Sequence, residues 1–165
     1  MIKKIVLLLS LVFVSCNLEK PTAFSKEALN EKVIALDNNS STIEDVLNKH
    51  KGKKILIDVW ASWCRDCLKG IPAVKNLQKE FPEVVFLFLS VDTKQTSWKY
   101  AVNKYNLKGE HYNLPKGMKK GEFVDFLNLG WIPRYLVVDE NGRITLFKAT
   151  SASDNDIYEA LNKAI

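Results

Sequence analysis

Ile55-Leu56-Ile57-Asp58-Val59-Trp60-Ala61-Ser62-Trp63-Cys64-Arg65-Asp66-Cys67 decides how the chain is read. An almost unbroken apolar run over 54–60 predicts a strand buried on both faces. It leads directly into two cysteines three positions apart, at the start of a segment with helical spacing. On the first turn of a helix two such sulfurs share one face and can close and reopen a small disulfide ring. The unpaired N–H groups and partial positive charge of a helix N-terminus favour a thiolate, the form that attacks disulfides. Cys64, nearest the helix end and solvent, is the expected attacking sulfur, and Cys67, one turn in, the resolving one. Zinc sites use the same spacing. No second CxxC and no Cys/His pair follows to complete four ligands, so redox chemistry is the expectation and neither metal nor cofactor is called for.

Asp58 interrupts the apolar run. A carboxylate in a central strand is costly unless paired, hydrogen-bonded or protonated. It is read either as a paired acid that orders its surroundings or as an acid of raised pKa that accepts a proton from Cys67.

The surrounding pattern alternates strands and helices. Lys32–Leu36 reads as a strand, and Ser41 or Thr42 caps a helix that ends near Gly52. His50, at that helix end, reads as a cation facing the dipole. Leu68, Ile71, Val74, Leu77 and Phe81 mark the helix after the cysteines, with Pro72 inside it. Glu83–Asp92 predicts a third strand and Thr93–Asn106 a helix. Residues 108–129 give no clear element apart from a short amphipathic run, Phe123–Leu127, and His111 within them has no neighbouring ligands. Lys116, Lys119 and Lys120 read as a solvated loop face. Strands at Tyr135–Val138 and Arg143–Lys148 flank the turn Asp139-Glu140-Asn141-Gly142, and a last helix is capped by Ser153 or Asp154. The expected order, β-α-β-α-β-α then β-β-α, makes an α/β fold with a central mixed sheet covered on both faces.

At 165 residues and 47% hydrophobic composition, one domain with a real core is expected. The N-terminus reads as a targeting segment: Lys3 and Lys4 precede an apolar run, Ile5 to Val14, too short to span a bilayer. Val12-Phe13-Val14-Ser15-Cys16 resembles the lipobox of bacterial lipoproteins, with Phe13 where Leu or Val is usual. That resemblance implies a signal peptide over 1–15 and lipidation at Cys16, which would anchor the chain to a membrane. Residues 16–31 then form a polar tether ahead of a domain over 32–165. Discounting Lys3 and Lys4, the net charge of +5 becomes +3, with lysines scattered, so nucleic acid is not an expected partner. Setting Cys16 aside leaves Cys64 and Cys67 as a self-contained pair.

Taken together, the chain resembles the exported TlpA/ResA-like thiol–disulfide oxidoreductases of the thioredoxin fold over roughly Val33 to Ile165. Asp58 stands six residues before Cys64, Trp60-Ala61-Ser62-Trp63-Cys64 matches the approach to the active site, Pro72 follows Cys67 by five, and Ile132-Pro133 matches the cis-proline. The resemblance implies that Ile132 and Pro133 present backbone to an added substrate strand and that Trp63 walls the site. It implies protein disulfide or dithiol substrates, apocytochrome c among them, and a membrane electron donor of the DsbD or CcdA type. It also implies an exported, periplasm-facing monomer. Two departures stand out: Arg65-Asp66 separates the cysteines where thioredoxins carry Gly-Pro, and Arg134 replaces a common Thr. A dithiol oxidase would use the same residues in reverse. A copper-binding module of similar fold typically has CxxxC plus histidine, and a peroxidase a single cysteine in a Pro/Thr-rich loop. A binding module with merely structural cysteines would not need Asp58 and Pro133 around them.

Overall fold

The computed structural model describes residues 20–163; the apolar run Ile5 to Val14, Cys16 and Ile165 lie outside them. A seven-stranded mixed sheet forms the centre, in the order β2-β1-β5-β4-β3-β6-β7. Its strands are β1 (Lys32–Ala35), β2 (Ser40–Thr42), β3 (Ile55–Trp60), β4 (Val85–Ser90), β5 (Glu110–Asn113), β6 (Arg134–Val138) and β7 (Ile144–Ala149). The helices are α1 (Lys26–Leu29), α2 (Ile43–Asn48), α3 (Arg65–Glu80), α4 (Gln95–Tyr105), α5 (Glu122–Phe126) and α6 (Asn155–Asn162).

β3 lies centrally, parallel to β4 and antiparallel to β6, and all six of its residues are buried. Such a strand must be apolar on both faces, which is why Asp58 stands out. α3 buries Cys67, Ile71, Val74 and Leu77 at helical spacing. Lys75 and Gln78 of α3 donate to the carbonyls of Tyr105 and Lys108 at 2.7 and 2.5 Å, so α3 and α4 share one face, as successive right-handed crossovers require. Tyr158 of α6 packs edge-on to Phe81 on that side, with ring centroids 6.0 Å apart.

The opposite face belongs to α5 and α1. Side chains alternate along a strand. Tyr135 of β6 places its hydroxyl 3.4 Å from where a Cβ on Gly70 of α3 would stand. Its neighbour Arg134 points the other way, donating from Nη1 to the Leu127 carbonyl at the end of α5 (2.9 Å). Helices therefore cover both faces.

The local capping chemistry matches the residues. Thr42 and Asp45 form a reciprocal capping box on α2, and Asp154 caps α6. Asp139 Oδ1 accepts from the N–H groups of Asn141 and Arg143, closing the β6–β7 turn.

Three parts differ from expectation. First, much of the 16–31 segment is not a free tether: Ser25 caps α1, Ala28 is buried, and Phe24 stacks on Phe123 at 5.9 Å. The Ile144 N–H also donates to the Thr22 carbonyl (2.8 Å), which ties the segment to β7. Second, residues 108–129 contain β5 and α5. β5 reads Glu-His-Tyr-Asn, and its Asn113 Nδ2 donates to the Ser90 and Asp92 carbonyls. His111 is buried, stacked on Phe88, with Nε2 3.0 Å from the Leu107 carbonyl oxygen. Third, Lys116 is more than a solvated loop residue. It pairs at 3.0 Å with Glu31, a buried carboxylate that also accepts the Glu122 N–H at the start of α5. Gly121 makes that approach possible, because a Cβ there would lie 2.7 Å from Glu31 Oε2.

Candidate active site

The chain leaves β3 at its carboxyl end, beside the carboxyl end of parallel β4, and turns directly into α3. Open α/β sheets place their sites at this edge. The turn is held from β4's side by Asp92. Its Oδ2 accepts from the Ser62 N–H and the Ser90 hydroxyl, both at 2.8 Å, and its Oδ1 accepts from the Ser62 hydroxyl at 2.6 Å. Asp92 is 2% exposed, so these charge-assisted bonds form out of solvent and fix the loop that carries Trp63 and Cys64. Sequence reading passed over Asp92 and Ser62. The available signal was an acid closing the apolar strand at Ser90-Val91-Asp92.

Cys64 is the N-cap of α3 and is joined to Cys67 in a disulfide. The Cys67 N–H donates to Cys64 Sγ at 3.1 Å. In the dithiol form that donor and the helix N-terminus would both stabilise a charged Cys64 sulfur. Exposure does not distinguish the two sulfurs, since each residue is 5% exposed. Position does: Cys64 Sγ lies 3.6 Å from the Ile132 carbonyl oxygen, while Cys67 is on the buried face of α3. The Ile132–Pro133 bond is cis, both residues are buried, and the Ile132 carbonyl faces sulfur instead of a backbone N–H. Trp63 is 60% exposed beside Cys64.

Asp58 sits directly across from Tyr135 in the β3–β6 ladder. Cross-strand partners project to the same face. Since Tyr135 reaches Gly70 of α3, Asp58 also faces α3, whose Cys67, Gly70 and Ile71 lie on one helical stripe. Burial, with no compensating partner on Oδ1, pushes the Asp58 pKa up to about 8. Burial also raises Tyr135, and Asp58 adds to that shift. The acid is thus mostly protonated at neutral pH, and its carboxylate becomes substantial only as the pH approaches 8.

Arg134 does not join the site. It is 3% exposed on the α5 face, where its bond to the Leu127 carbonyl secures the C-terminal end of α5. His50 lies 4.0 Å from Glu110 across the sheet's other end. Among the described residues no group of three or more His, Cys, Asp or Glu is arranged to hold a metal ion, and no helix is long and apolar enough to cross a membrane.

Known proteins with this arrangement are similar over most of the domain. ResA of Bacillus thuringiensis (strain Al Hakam), a thiol-disulfide oxidoreductase, is 28% identical over 122 residues, covering 72% of this chain and 65% of its own. The thioredoxin-like protein YneN of Bacillus subtilis is 31% identical over 114 residues, covering 66% of this chain and 61% of its own. The chain thus spans just under two thirds of the length of these relatives. A solution structure from Bacteroides vulgatus, described as a thiol-disulfide oxidoreductase, superposes with a TM-score of 0.65 at 30% identity, covering 79% of this chain and 83% of that one. A family model described as thioredoxin-like matches residues 52–144, more than half the chain and all of the β3–α3 unit. On that match, and on a fold that brings Cys64, Cys67 and a cis-proline together, the chain belongs to the thioredoxin-like family.

Proposed function

We propose that this protein is a thiol–disulfide oxidoreductase that reduces disulfides of other proteins outside the cytoplasm. The observation that carries the reading is Cys64: an N-cap sulfur bonded to Cys67, beside the Ile132 carbonyl. In the reduced protein the Cys64 thiolate attacks one sulfur of a substrate disulfide. That bond breaks, the other substrate sulfur leaves, and a mixed disulfide remains. Cys67 then gives its proton to the ionised fraction of Asp58, attacks Cys64 Sγ, forms the Cys64–Cys67 bond and expels the second substrate sulfur as a thiolate. Two electrons pass to the substrate, whose two departing thiolates take protons from solvent, while the Cys67 proton leaves through Asp58. Ile132 and Pro133 hold the substrate backbone, and Trp63 shields the reacting sulfur.

Re-reduction requires an external dithiol, since an oxidising compartment has no thiol pool. A membrane donor of the DsbD or CcdA type fits this need, and the TlpA/ResA-like resemblance implies exported acceptors such as apocytochrome c. The lipobox-like run ending at Cys16 supports export and anchoring to a bacterial membrane, facing the periplasm. With the Thr22 carbonyl already bound to Ile144 of β7, beside Val138 and Ile55 at the end of the sheet opposite Cys64, the link from Cys16 to the domain is only a few residues long.

The test is turnover of a disulfide-bonded polypeptide with dithiothreitol as electron source. The wild type is expected to accelerate reduction at catalytic concentrations. Cys64→Ser is expected to lower the rate at least about 10³-fold, to the uncatalysed background, because no other nucleophile lies at the helix N-terminus. Retained turnover in Cys64→Ser would assign the activity elsewhere.

A further inference from the structure

We propose that Trp131 is a substrate-contacting residue which, with Trp63, grips an extended polypeptide on both sides of the reacting sulfur. This rests on the oxidoreductase reading and names its substrate class: polypeptide disulfides with an apolar residue beside the cysteine. The chain has four tryptophans. Trp60 and Trp98 are buried in the core, whereas Trp63 and Trp131 are each 60% exposed. A fold that can bury indoles leaves these two in water. Trp63 precedes Cys64 and Trp131 precedes Ile132, the two residues whose Sγ and carbonyl oxygen stand 3.6 Å apart. Each exposed indole is thus the chain neighbour of one partner in the contact between Cys64 Sγ and the Ile132 carbonyl.

The ground beside Trp131 is open: a Cβ on Gly130 would meet nothing within 4 Å, and Asn128 turns the loop through φ 44°. Below this loop the backbone is fixed, with the Leu129 N–H bonded to the Val124 carbonyl and Arg134 holding the Leu127 carbonyl. Trp131 is thus a large rigid ring on a braced support. The free Ile132 carbonyl selects an occupant with main-chain donors, and the two indoles select one with apolar side chains. A small polar disulfide satisfies neither.

The experiment uses the reduced protein against three substrates: the disulfide dimer of a short peptide with Phe beside its cysteine, the same peptide with Gly there, and glutathione disulfide. Second-order rate constants are read by acid quench and chromatography of the released thiols. The wild type is expected to favour the Phe peptide over both others by about tenfold or more. Trp131→Ala is expected to cut that preference about tenfold, the scale of truncating an aromatic anchor, and Trp131→Phe to keep most of it. An unchanged preference in Trp131→Ala, or equal wild-type rates on all three substrates, overturns the proposal while leaving the redox function standing. A wild type that reduces none of them overturns both.

Discussion

Cys67→Ser is expected to accumulate mixed disulfides through Cys64 when it meets oxidised partner proteins, while Cys64→Ser accumulates none. Cys64 sits at the N-cap, with the Cys67 N–H 3.1 Å from its sulfur and the Ile132 carbonyl 3.6 Å away. Cys67 lies on the face of α3 that packs into the core. Cys64, at the helix end beside the Ile132 carbonyl, is therefore the sulfur placed to meet an incoming disulfide. Serine at 67 preserves the helix but removes the sulfur that would resolve the adduct, so its lifetime lengthens by orders of magnitude, about 10³-fold or more. The check is non-reducing electrophoresis of extracts, followed by mass mapping of the cross-linked cysteine. Adducts through Cys67 in Cys64→Ser, or none through Cys64 in Cys67→Ser, would reverse the assignment.

Asp58→Asn is expected to make the oxidised domain more stable and slower in exchange. The folded pKa of about 8 lies above the ordinary carboxylate value, so the native chain holds a proton that the unfolded chain releases. Below about pH 4 both states are protonated and the site carries no ionisation penalty. As pH rises toward 8 the unfolded state is favoured by its ionised carboxylate, and the stability present at low pH is lost. At about 1.4 kcal/mol per pKa unit the penalty reaches roughly 4 kcal/mol near pH 7. Replacing the acid by an amide that must itself be buried should recover about 2–4 kcal/mol at pH 7–8 and little at pH 4. Urea unfolding across that range measures it. Stopped-flow resolution of the mixed disulfide between pH 6 and 9 gives the matching kinetic result. The wild type should show an inflection near pH 8, and the Asn variant should lack it and be about 10–100-fold slower there. Unchanged stability and rates would reduce Asp58 to an ordinary core residue.

The legible parts of this fold share one property: their burial is written in apolar residues. β3, β4, β6 and the buried face of α3 are apolar runs or helical stripes, and each stands where periodicity puts it. β5 was invisible because Glu110-His111-Tyr112-Asn113 carries no apolar pattern; its burial is sustained by tertiary hydrogen bonds from Asn113 to β4 and by stacking of His111 on Phe88. β2 is three polar residues, paired only because β1 folds back on it. α1 was hidden for the same reason: one alanine and one phenylalanine dock it onto α5, too little to read against a polar background. At the site, the cysteines and Asp58 were readable from the residues themselves, and the Ile132-Pro133 step from the family resemblance. Asp92 and Trp131 were not, because their significance comes from what they adjoin in space: Ser62 across from β4, and Ile132 across from Cys64. Arg134, noted in the sequence only as a departure after the proline, is turned by strand alternation to the other face, away from the sulfurs.

The most direct measurement is the reduction potential of the Cys64–Cys67 pair, by equilibration with glutathione and dithiothreitol couples. A reductant of exported protein disulfides is expected to lie near the thioredoxin end of the scale, at about −270 mV. A value near the DsbA end, about −120 mV, would contradict the proposed direction and make the protein a dithiol oxidase working through the same two sulfurs.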